Sequence, residues 1–460
     1  MAPPRMARPE PRGRPPQLTR RRQIPHPGAL RAAEIAAAIG FVVVIVMTVG
    51  TETASELALP GGVLTFFGNL TGMVGMYLAL LMVLLVSRIP AIEGVLGQDG
   101  LLRWHRRLGP WPLSLIGAHA VFTTFGYAET SRSGAWAEVG RLISSYPDML
   151  AAFVAVGLMA LAGVASIRAI RHRLRRETWW VIHLYLYLAL ALSIAHVIVL
   201  GQAFVGHPLA QALWAALWAA TAGLVLVYRV VMPIYRSLRH QLRVVEVRSE
   251  APGVTSIICS GRRVERLPVA GGQFLLWRFM VRGMWWQAHP YSLSSMPHPP
   301  YVRLTVKAVG DHSAALARIR PGTRVFIEGP YGAFTRHAQY RQKAVLLAAG
   351  IGVTALRALL EDLPRKSGPE VIIRAPSREA LVLHDEVVEL VHQKKGQLHE
   401  LIGNRQTARI DARSLRKMVP DIRQRDVFVC GPPAFVATIE RIAADLGIPK
   451  EAVHHEAFAY

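Results

Sequence analysis

Cysteine is nearly absent from this chain: Cys259 and Cys430 are the only two in 460 residues, and they lie far apart in its second half. That excludes a disulfide framework and a cysteine-based metal site, and it suits a reducing compartment for that half. Acidic residues are scarce as well, 30 against 53 Lys and Arg, for a formal net charge of +23. The excess does not gather on one soluble domain, as a nucleic-acid-binding patch requires, so nucleic acid is excluded as a partner. Much of it lies in the N-terminal tail and beside apolar runs. No internal repeat is present. No small-residue cleavage site follows the first apolar run, so a cleaved signal peptide is not expected.

What the chain has in abundance is apolar sequence, 52% of its residues with a mean hydropathy of +0.28. That is too apolar for one soluble domain and fits a membrane protein with a soluble appendage. Six apolar stretches precede residue 236, at 32–50, 63–86, 108–125, 149–167, 180–200 and 209–231. Each approaches or exceeds the ~20 residues that cross a hydrocarbon core. Arg103, Arg106 and Arg107 precede the third stretch, and Arg168, Arg171, Arg173, Arg175 and Arg176 separate the fourth from the fifth. The positive-inside rule makes both loops cytosolic, along with the Arg- and Pro-rich tail that carries Arg20, Arg21 and Arg22. Stretches three and five then run parallel, from inside to outside, and the sixth ends inside near Arg236. The expectation is an integral plasma membrane protein with six helices and both termini in the cytosol.

After Gln241 the pattern changes to short alternating strands at 242–248, 255–260, 273–279, 301–307 and 324–328, which predicts an antiparallel β-barrel. From Lys343 the chain reads strand, glycine turn, helix, strand, helix, a βαβ unit of a parallel α/β domain. The predicted organisation is a basic disordered tail over 1–31, an all-α six-helix membrane bundle over 32–235, a barrel over 236–340 and an α/β nucleotide-binding domain over 341–460.

Ionisable groups inside a membrane are costly and mark functional sites. His119 and His196 fall within apolar stretches three and five, and His105 and His183 near the cytosolic ends of the same two. Neutral imidazole is a good axial ligand for haem iron, so two parallel helices with two histidines each suit two haem b groups. The inner pair is His105 with His183, the outer His119 with His196. Spacings of 14 and 13 residues separate the two levels by ~20 Å at about 1.5 Å per residue. Fourteen positions return to within about 40° of one face, but thirteen fall about 140° away. Helix five must therefore distort, or its two sites must be approached from different directions, and Pro110 permits a kink in helix three. As ordinary hydrogen-bonded histidines, four such residues paired on alternate helices would be a coincidence.

In the soluble half, His289, Pro290, Tyr291, Ser292, Leu293, Ser294 and Ser295 form a strand with an aromatic ring beside hydroxyl groups, which suits a flavin stacked on one face. Lys307 and the turn carrying Gly310 and Ser313 offer donors and a helix start for a pyrophosphate. Gly350, Gly352 and Thr354 follow a buried strand and open a helix, the geometry that brings backbone to a nucleotide phosphate. Cys430, Gly431 and Pro432 end a later strand where a nicotinamide fits; Cys430 taken singly reads equally as a small buried apolar residue. Arg374, Ser377 and Arg378 stand where a ribose 2′-phosphate is recognised, which favours NADPH over NADH, with Glu379 beside them.

Together these residues resemble the ferric reductase and NADPH oxidase family, a six-helix haem domain joined to a ferredoxin-NADP reductase-like module, over residues 32 to 460. The seven residues from His289 to Ser295 match the family's FAD-binding strand; the resemblance implies that Tyr291 packs the flavin and Ser292 reaches its reactive nitrogen. Gly350, Gly352 and Thr354 match its nucleotide turn, with Ala355 where a proline is common, and Cys430, Gly431 and Pro432 match its Cys-Gly-Pro motif. Glu456 and Phe458 match a terminal motif whose aromatic shields the flavin, with Tyr460 as a rival. His105, His119, His183 and His196 match the family's haem histidines, spacings included. On this resemblance Ser292, Cys430 and Phe458 are the catalytic set.

The resemblance implies a membrane oxidoreductase taking electrons from cytosolic NADPH or NADH through FAD and two haem b to an acceptor outside. A flavin is required because a hydride carries two electrons and a haem takes one. Outward electron movement is favourable against a negative-inside potential by about 2.3 kcal/mol per 100 mV. Ferric chelate is the preferred acceptor, since no second histidine follows His119 closely and Thr123 stands one turn on. Dioxygen, with superoxide as product, is the alternative; a quinone or a partner protein is a third choice. A reading from another class is a transporter or sensor that binds nucleotides without redox chemistry. The oligomeric state is not encoded in these features.

Overall fold

The structure, a computed structural model, describes residues 27–51, 53–201, 204, 206–404 and 408–457. The basic arm up to residue 26, Phe458 and Tyr460 lie outside the described residues. The N-terminal half is helical: α1 Pro27–Gly50, α2 Ala54–Leu57, α3 Gly62–Val86, α4 Pro90–Leu108, α5 Pro110–Ser131, α6 Ala135–Ser145, α7 Met149–Ser166, α8 Arg168–Arg171, α9 Arg176–Leu200, α10 Pro208–Leu226 and α11 Met232–His240.

Among the described residues five helical segments are long and apolar enough to cross a membrane: Arg31–Gly50, Gly62–Val86, Met149–Ser166, Glu177–Leu200 and Pro208–His240. Helix α5 is not among them; Ser114, His119, Thr123, Thr124 and two prolines dilute its apolar character. The last segment continues past the expected end because α10 passes through a π turn, Val227–Val231, into α11. Pro233, in the first turn of α11, has no N–H to give the residue four before it, and a π turn accommodates that missing bond. Residues 126–147, between the third and fourth apolar stretches, contain α6, an amphipathic helix with Leu142 buried and Trp136 exposed.

Helices α3 and α5 make the closest helix pair. A Cβ placed on Gly68 would lie 2.5 Å from Thr123 Cγ2, and one on Gly72 would lie 2.7 Å from His119 Nδ1. Lipid tails give helices no hydrophobic reason to associate, so small residues that let backbones approach are the means of packing.

The second half contains β1 Arg243–Ala251, β2 Val254–Ser260, β3 Phe274–Phe279, β4 His289–Ser292, β5 Tyr301–Lys307, a short α12 Asp311–Ala315, and β6 Val325–Tyr331. These strands form two antiparallel sheets of three, β1-β2-β5 and β4-β3-β6. Isolated bridges, Arg243 with Arg324 and Leu293 with Leu304, link one sheet to the other. Trp277, Phe279, Leu275 and Leu304 fill the space between them. Then follow β7 Lys343–Ala349, α13 Val353–Asp362, β8 Glu370–Ala375, α14 His384–Gln393, β9 Gln397–Ile402, α15 Ala412–Met418, β10 Arg425–Gly431, α16 Pro433–Asp445 and β11 Val453–Ala457. All five strands are parallel, in the order β11-β10-β7-β8-β9. With cores on both faces, β7 reads as an almost unbroken apolar run.

Gly72→Val should lower the stability of the membrane half by about 1–3 kcal/mol through overpacking against His119. Gly157→Ala, whose Cβ meets nothing within 4 Å, should leave it unchanged; thermal unfolding of the two variants in detergent checks the contrast.

Candidate functional site

The four membrane histidines come together as two pairs. Ring centroids of His105 and His183 lie 6.1 Å apart with planes at 79°, and those of His119 and His196 lie 6.1 Å apart at 56°. Two imidazoles sharing one metal ion through bonds of about 2 Å place their ring centres about 6 Å apart. His119 Nδ1 lies 2.9 Å from the Gly68 carbonyl oxygen and His105 Nδ1 3.2 Å from that of Met82. Each Nδ1–H therefore donates to α3, which leaves Nε2 with the free lone pair, the arrangement of a metal-ligating histidine. Gly68 and Met82 are themselves 14 residues apart, so α3 runs antiparallel to the two histidines and supplies a carbonyl at each level.

His105 and His119 do not share one helix: His105 ends α4 and His119 sits in α5, with Gly109 in helical conformation at the joint. Helix α9 is α-helical from Arg176 to Leu200, with no bulge between His183 and His196. Of the two ways to accommodate the 13-residue spacing, local distortion is thus absent and the rings leave α9 in different directions. A cavity of about 210 Å³ adjoins the outer pair; Gly72, Thr123, Tyr127, Tyr146 and Ser193 line it with His119 and His196. No group of three or more metal-ligating side chains occurs among the described residues; an axial pair of histidines needs none.

The predicted flavin segment runs past the end of β4 at Ser292, so Leu293 and Ser294 lie beyond that strand. Leu293 is fully buried in the sheet core, and Ser294 accepts a hydrogen bond from Thr305 at 2.8 Å, itself bonded to Ser256. These two side chains face inward. Ser292 is buried and its Oγ has no partner among the described residues, an orphaned hydroxyl that fits a bound heterocycle. Tyr291, His289 and His312 stack, with His289 and His312 centroids 3.6 Å apart. Burial, then the neighbouring His289, pushes His312 down to about 4, and burial raises the Tyr291 phenol. The phenol oxygen and His312 Nδ1 share a hydrogen bond at 3.1 Å. His312 is a site residue the strand motif alone does not reveal. At Gly310 the amides of Val309 and Gly310 donate to Ser313 Oγ at 2.9 and 3.0 Å, so these donors are taken up within the turn. Lys307 is exposed at the end of β5.

The glycine turn and the Cys-Gly-Pro segment meet at the C-terminal ends of β7 and β10, where the strand order reverses and open parallel sheets bind ligands. Gly350 has φ +55° with nothing within 4 Å of a Cβ, while a Cβ on Gly352 would lie 2.3 Å from Cys430 O. The first glycine leaves room above the turn and the second lets it close on β10. Thr354 donates to Ile351 O at 2.9 Å and holds the turn. Cys430 is fully buried; burial, then Glu456, raises its thiol well above the ordinary range, so it is a neutral surface and not a nucleophile. The end of β11 meets the end of β6: Glu456 Oε2 lies 3.6 Å from where a Gly332 Cβ would be. Arg374 donates to Ala408 O and Asn404 O, each at 3.3 Å. Ser377 is bonded to Glu379, which lowers that carboxyl. Of the three residues expected at a 2′-phosphate, Arg378 alone is exposed.

A chain of charges joins the sheets bearing Ser292 to the parallel sheet. Arg303 makes two 2.7 Å bonds to Glu386, Arg357 Nε forms an ion pair with Glu386 at 2.8 Å, and Arg357 also pairs with Glu361. Glu361 accepts from His298 at 2.6 Å and from the Met296 amide at 2.8 Å. Burial alone would raise the Glu361 carboxyl, but His298, Arg357 and that amide outweigh it and hold it at about 2.

Residues 71–194 match the model of the ferric reductase like transmembrane component, and residues 254–335 match an FAD-binding domain. The two joined in one chain are the arrangement of the ferric reductase and NADPH oxidase family. A flavohemoprotein of Bacillus subtilis is 27% identical over 188 residues, covering 36% of this chain and 46% of that protein. An NADPH oxidoreductase of Mycobacterium tuberculosis is 27% identical over 199 residues, covering 41% and 52%. The chain spans about half the length of the curated relatives it matches. Among solved structures, the FAD/NAD-binding domain of a Vibrio cholerae nitric oxide dioxygenase is 24% identical, with a TM-score of 0.41 over 47% of this chain and 98% of that one.

Because Glu361 is held below its unfolded value, its contribution to stability is complete above pH ~4.5 and fades as pH falls toward about 2. Glu361→Gln should cost on the order of 2–3 kcal/mol at pH 7, with the deficit shrinking below pH ~4.5. Urea unfolding of wild type and variant across pH 3–8 checks both the size and the sign.

Proposed function

We propose that this chain is an oxidoreductase of the plasma membrane that carries electrons from a cytosolic nicotinamide nucleotide, through FAD and two haem b groups held in a six-helix bundle, to an acceptor outside, with ferric chelate preferred. The observation that carries the reading is the pair of histidine pairs: two levels, the same 6.1 Å separation at each, and Nδ1 fixed on one member of each by α3. His105 with His183 would hold the inner haem, and His119 with His196 the outer. Bound in these sites, FAD supplies the conversion of a two-electron hydride into single electrons, and the haems supply one-electron carriage.

The chain's own residues do the rest. Tyr291, oriented through His312, presents a ring face, and Ser292 Oγ offers a hydrogen bond in a site closed to water. Gly350 and Gly352 let the nucleotide phosphates approach, and the neutral Cys430 thiol forms an uncharged floor for the nicotinamide. The Arg303–Glu386–Arg357–Glu361 chain holds the two sheets in register, so that donor and acceptor rings meet at a fixed distance. Phe458 remains the expected shield of the flavin.

NADPH is favoured over NADH, with the preference resting on Arg378, since Arg374 and Ser377 have partners within the protein. Arg378→Ala should reduce the NADPH to NADH ratio of kcat/KM by about tenfold, on the order of one charge-assisted hydrogen bond; steady-state assays with both nucleotides measure it.

Purified protein reduced with dithionite should show a b-type spectrum with two haems per chain, and His119→Ala or His196→Ala should lose one of them. A wild type without any haem would favour a nucleotide-binding transporter or sensor. Anaerobic reduction of ferric chelate by NADPH should proceed on membranes that make little superoxide in air. Superoxide formation without anaerobic chelate reduction would make dioxygen the acceptor instead.

A further inference from the structure

An imidazole that must present Nε2 needs something to stop its ring from turning. His105 and His119 have α3 carbonyls for this. On α9, Nδ1 of His183 and of His196 is buried without a hydrogen-bond partner among the described residues. His183 has another restraint: Trp179, one turn earlier on α9, stacks on it with centroids 5.0 Å apart and planes at 20°. Trp179 is itself fixed, since its indole N–H donates to Ser166 Oγ at 3.3 Å, and Ser166 donates to Ala162 O at 2.7 Å. The guanidinium carbon of Arg171 stands 4.5 Å from the Trp179 ring centre. Segment α8 thus gives the guanidinium and α9 the indole and imidazole of one stack at the cytosolic end of the bundle, with Ser166 of α7 anchoring the indole.

We propose that Trp179, backed by Arg171, is the positioning residue that sets the ring plane of His183 and with it the 79° angle of the inner pair. The proposal rests on the haem reading of the histidines. Its physical basis is that stacked rings lock rotation about the bond an unpartnered imidazole would otherwise turn on, and that a cation over an indole face holds that indole in place. Among the described residues His196 has no such stack, so the inner pair is held from both sides and the outer pair from one. The positive charge of Arg171 also lies nearer the inner pair, where it stabilises an added electron.

The test uses the full-length protein, purified with its haem, as wild type, Trp179→Phe, Trp179→Ala and Arg171→Gln. Low-spin ferric EPR reads the angle between axial imidazole planes, and a redox titration reads each haem's potential. Trp179→Ala should keep two haems per chain and shift the largest g value of one signal while the other stays; Trp179→Phe should restore it. Arg171→Gln should lower one midpoint potential of the two. If Trp179→Ala does not accumulate, the Phe and Gln variants decide, and a Gln variant with both potentials unchanged overturns the proposal. Two haems with both signals unchanged in Trp179→Ala overturn it while leaving the proposed function standing. A wild type without haem overturns both.

Discussion

Helix α3 approaches α5 so closely that a Cβ on Gly61 would lie 2.0 Å from the Gly126 carbonyl oxygen, one on Gly68 2.5 Å from Thr123 and one on Gly72 2.7 Å from His119. At this distance a carbonyl already bonded within its own helix can use its second lone pair on the neighbouring helix, and Gly68 O does so with His119. The same straight helix delivers Met82 O to His105. One packed interface therefore sets the tautomer of a histidine at each level, and the partner helix α9 needs only to bring two more rings to it. Bulky residues along α3 would separate the helices, and the histidines would lose both orientation and partners.

The second dependence is the junction with the soluble half. Helix α11 carries the chain out of the last span, and its Ser237 takes the Ile327 amide at 3.1 Å and gives to the Ile327 carbonyl at 3.3 Å, so it lies against β6 like an added edge partner. Arg236 bonds to Gly329 O, Arg229 pairs with Glu328 at 3.1 Å, and Arg88 covers the Tyr331 ring at 4.2 Å. These contacts reach one strand from two places, the end of the last span and the corner after α3. The strand that ends at Tyr331 leads to Gly332, beside the end of β11. Position is thus passed from the membrane helices to the meeting point of the two soluble sheets without a flexible linker.

Much of this was legible in the sequence, and the rest was hidden for identifiable reasons. Apolar run length located five of the six expected spans, the third falling short as α5, and the histidines of that stretch and the fifth come together as pairs. Strand β6 continued three residues beyond its expected end because Tyr331 pairs with Phe274 of β3 across an irregularity at Gly329 and Pro330. The 13-residue spacing left two choices, a distorted helix or sites approached from different directions, and α9 stays regular, which leaves the second. Carbonyl partners such as Gly68 and Met82 have no side-chain signature; the glycines at 61, 68, 72 and 75 are the signal that α3 would come close enough to supply them. Ion pairs such as Arg303 with Glu386, 83 residues apart, are set by tertiary packing and are invisible to local pattern. Leu293 and Ser294, consecutive residues past the end of β4, are both buried, which the alternation of one seven-residue strand does not predict.

The central claim is direction: electrons enter from a nucleotide on one side and leave on the other. The most direct test is a sealed vesicle holding the protein in one orientation, loaded with NADPH, under anaerobic conditions, with a ferric chelate that cannot cross the bilayer outside. The account predicts that the external chelate is reduced and that the interior becomes positive by a voltage-sensitive dye. Chelate reduction only when nucleotide and chelate share one side of the membrane would contradict it.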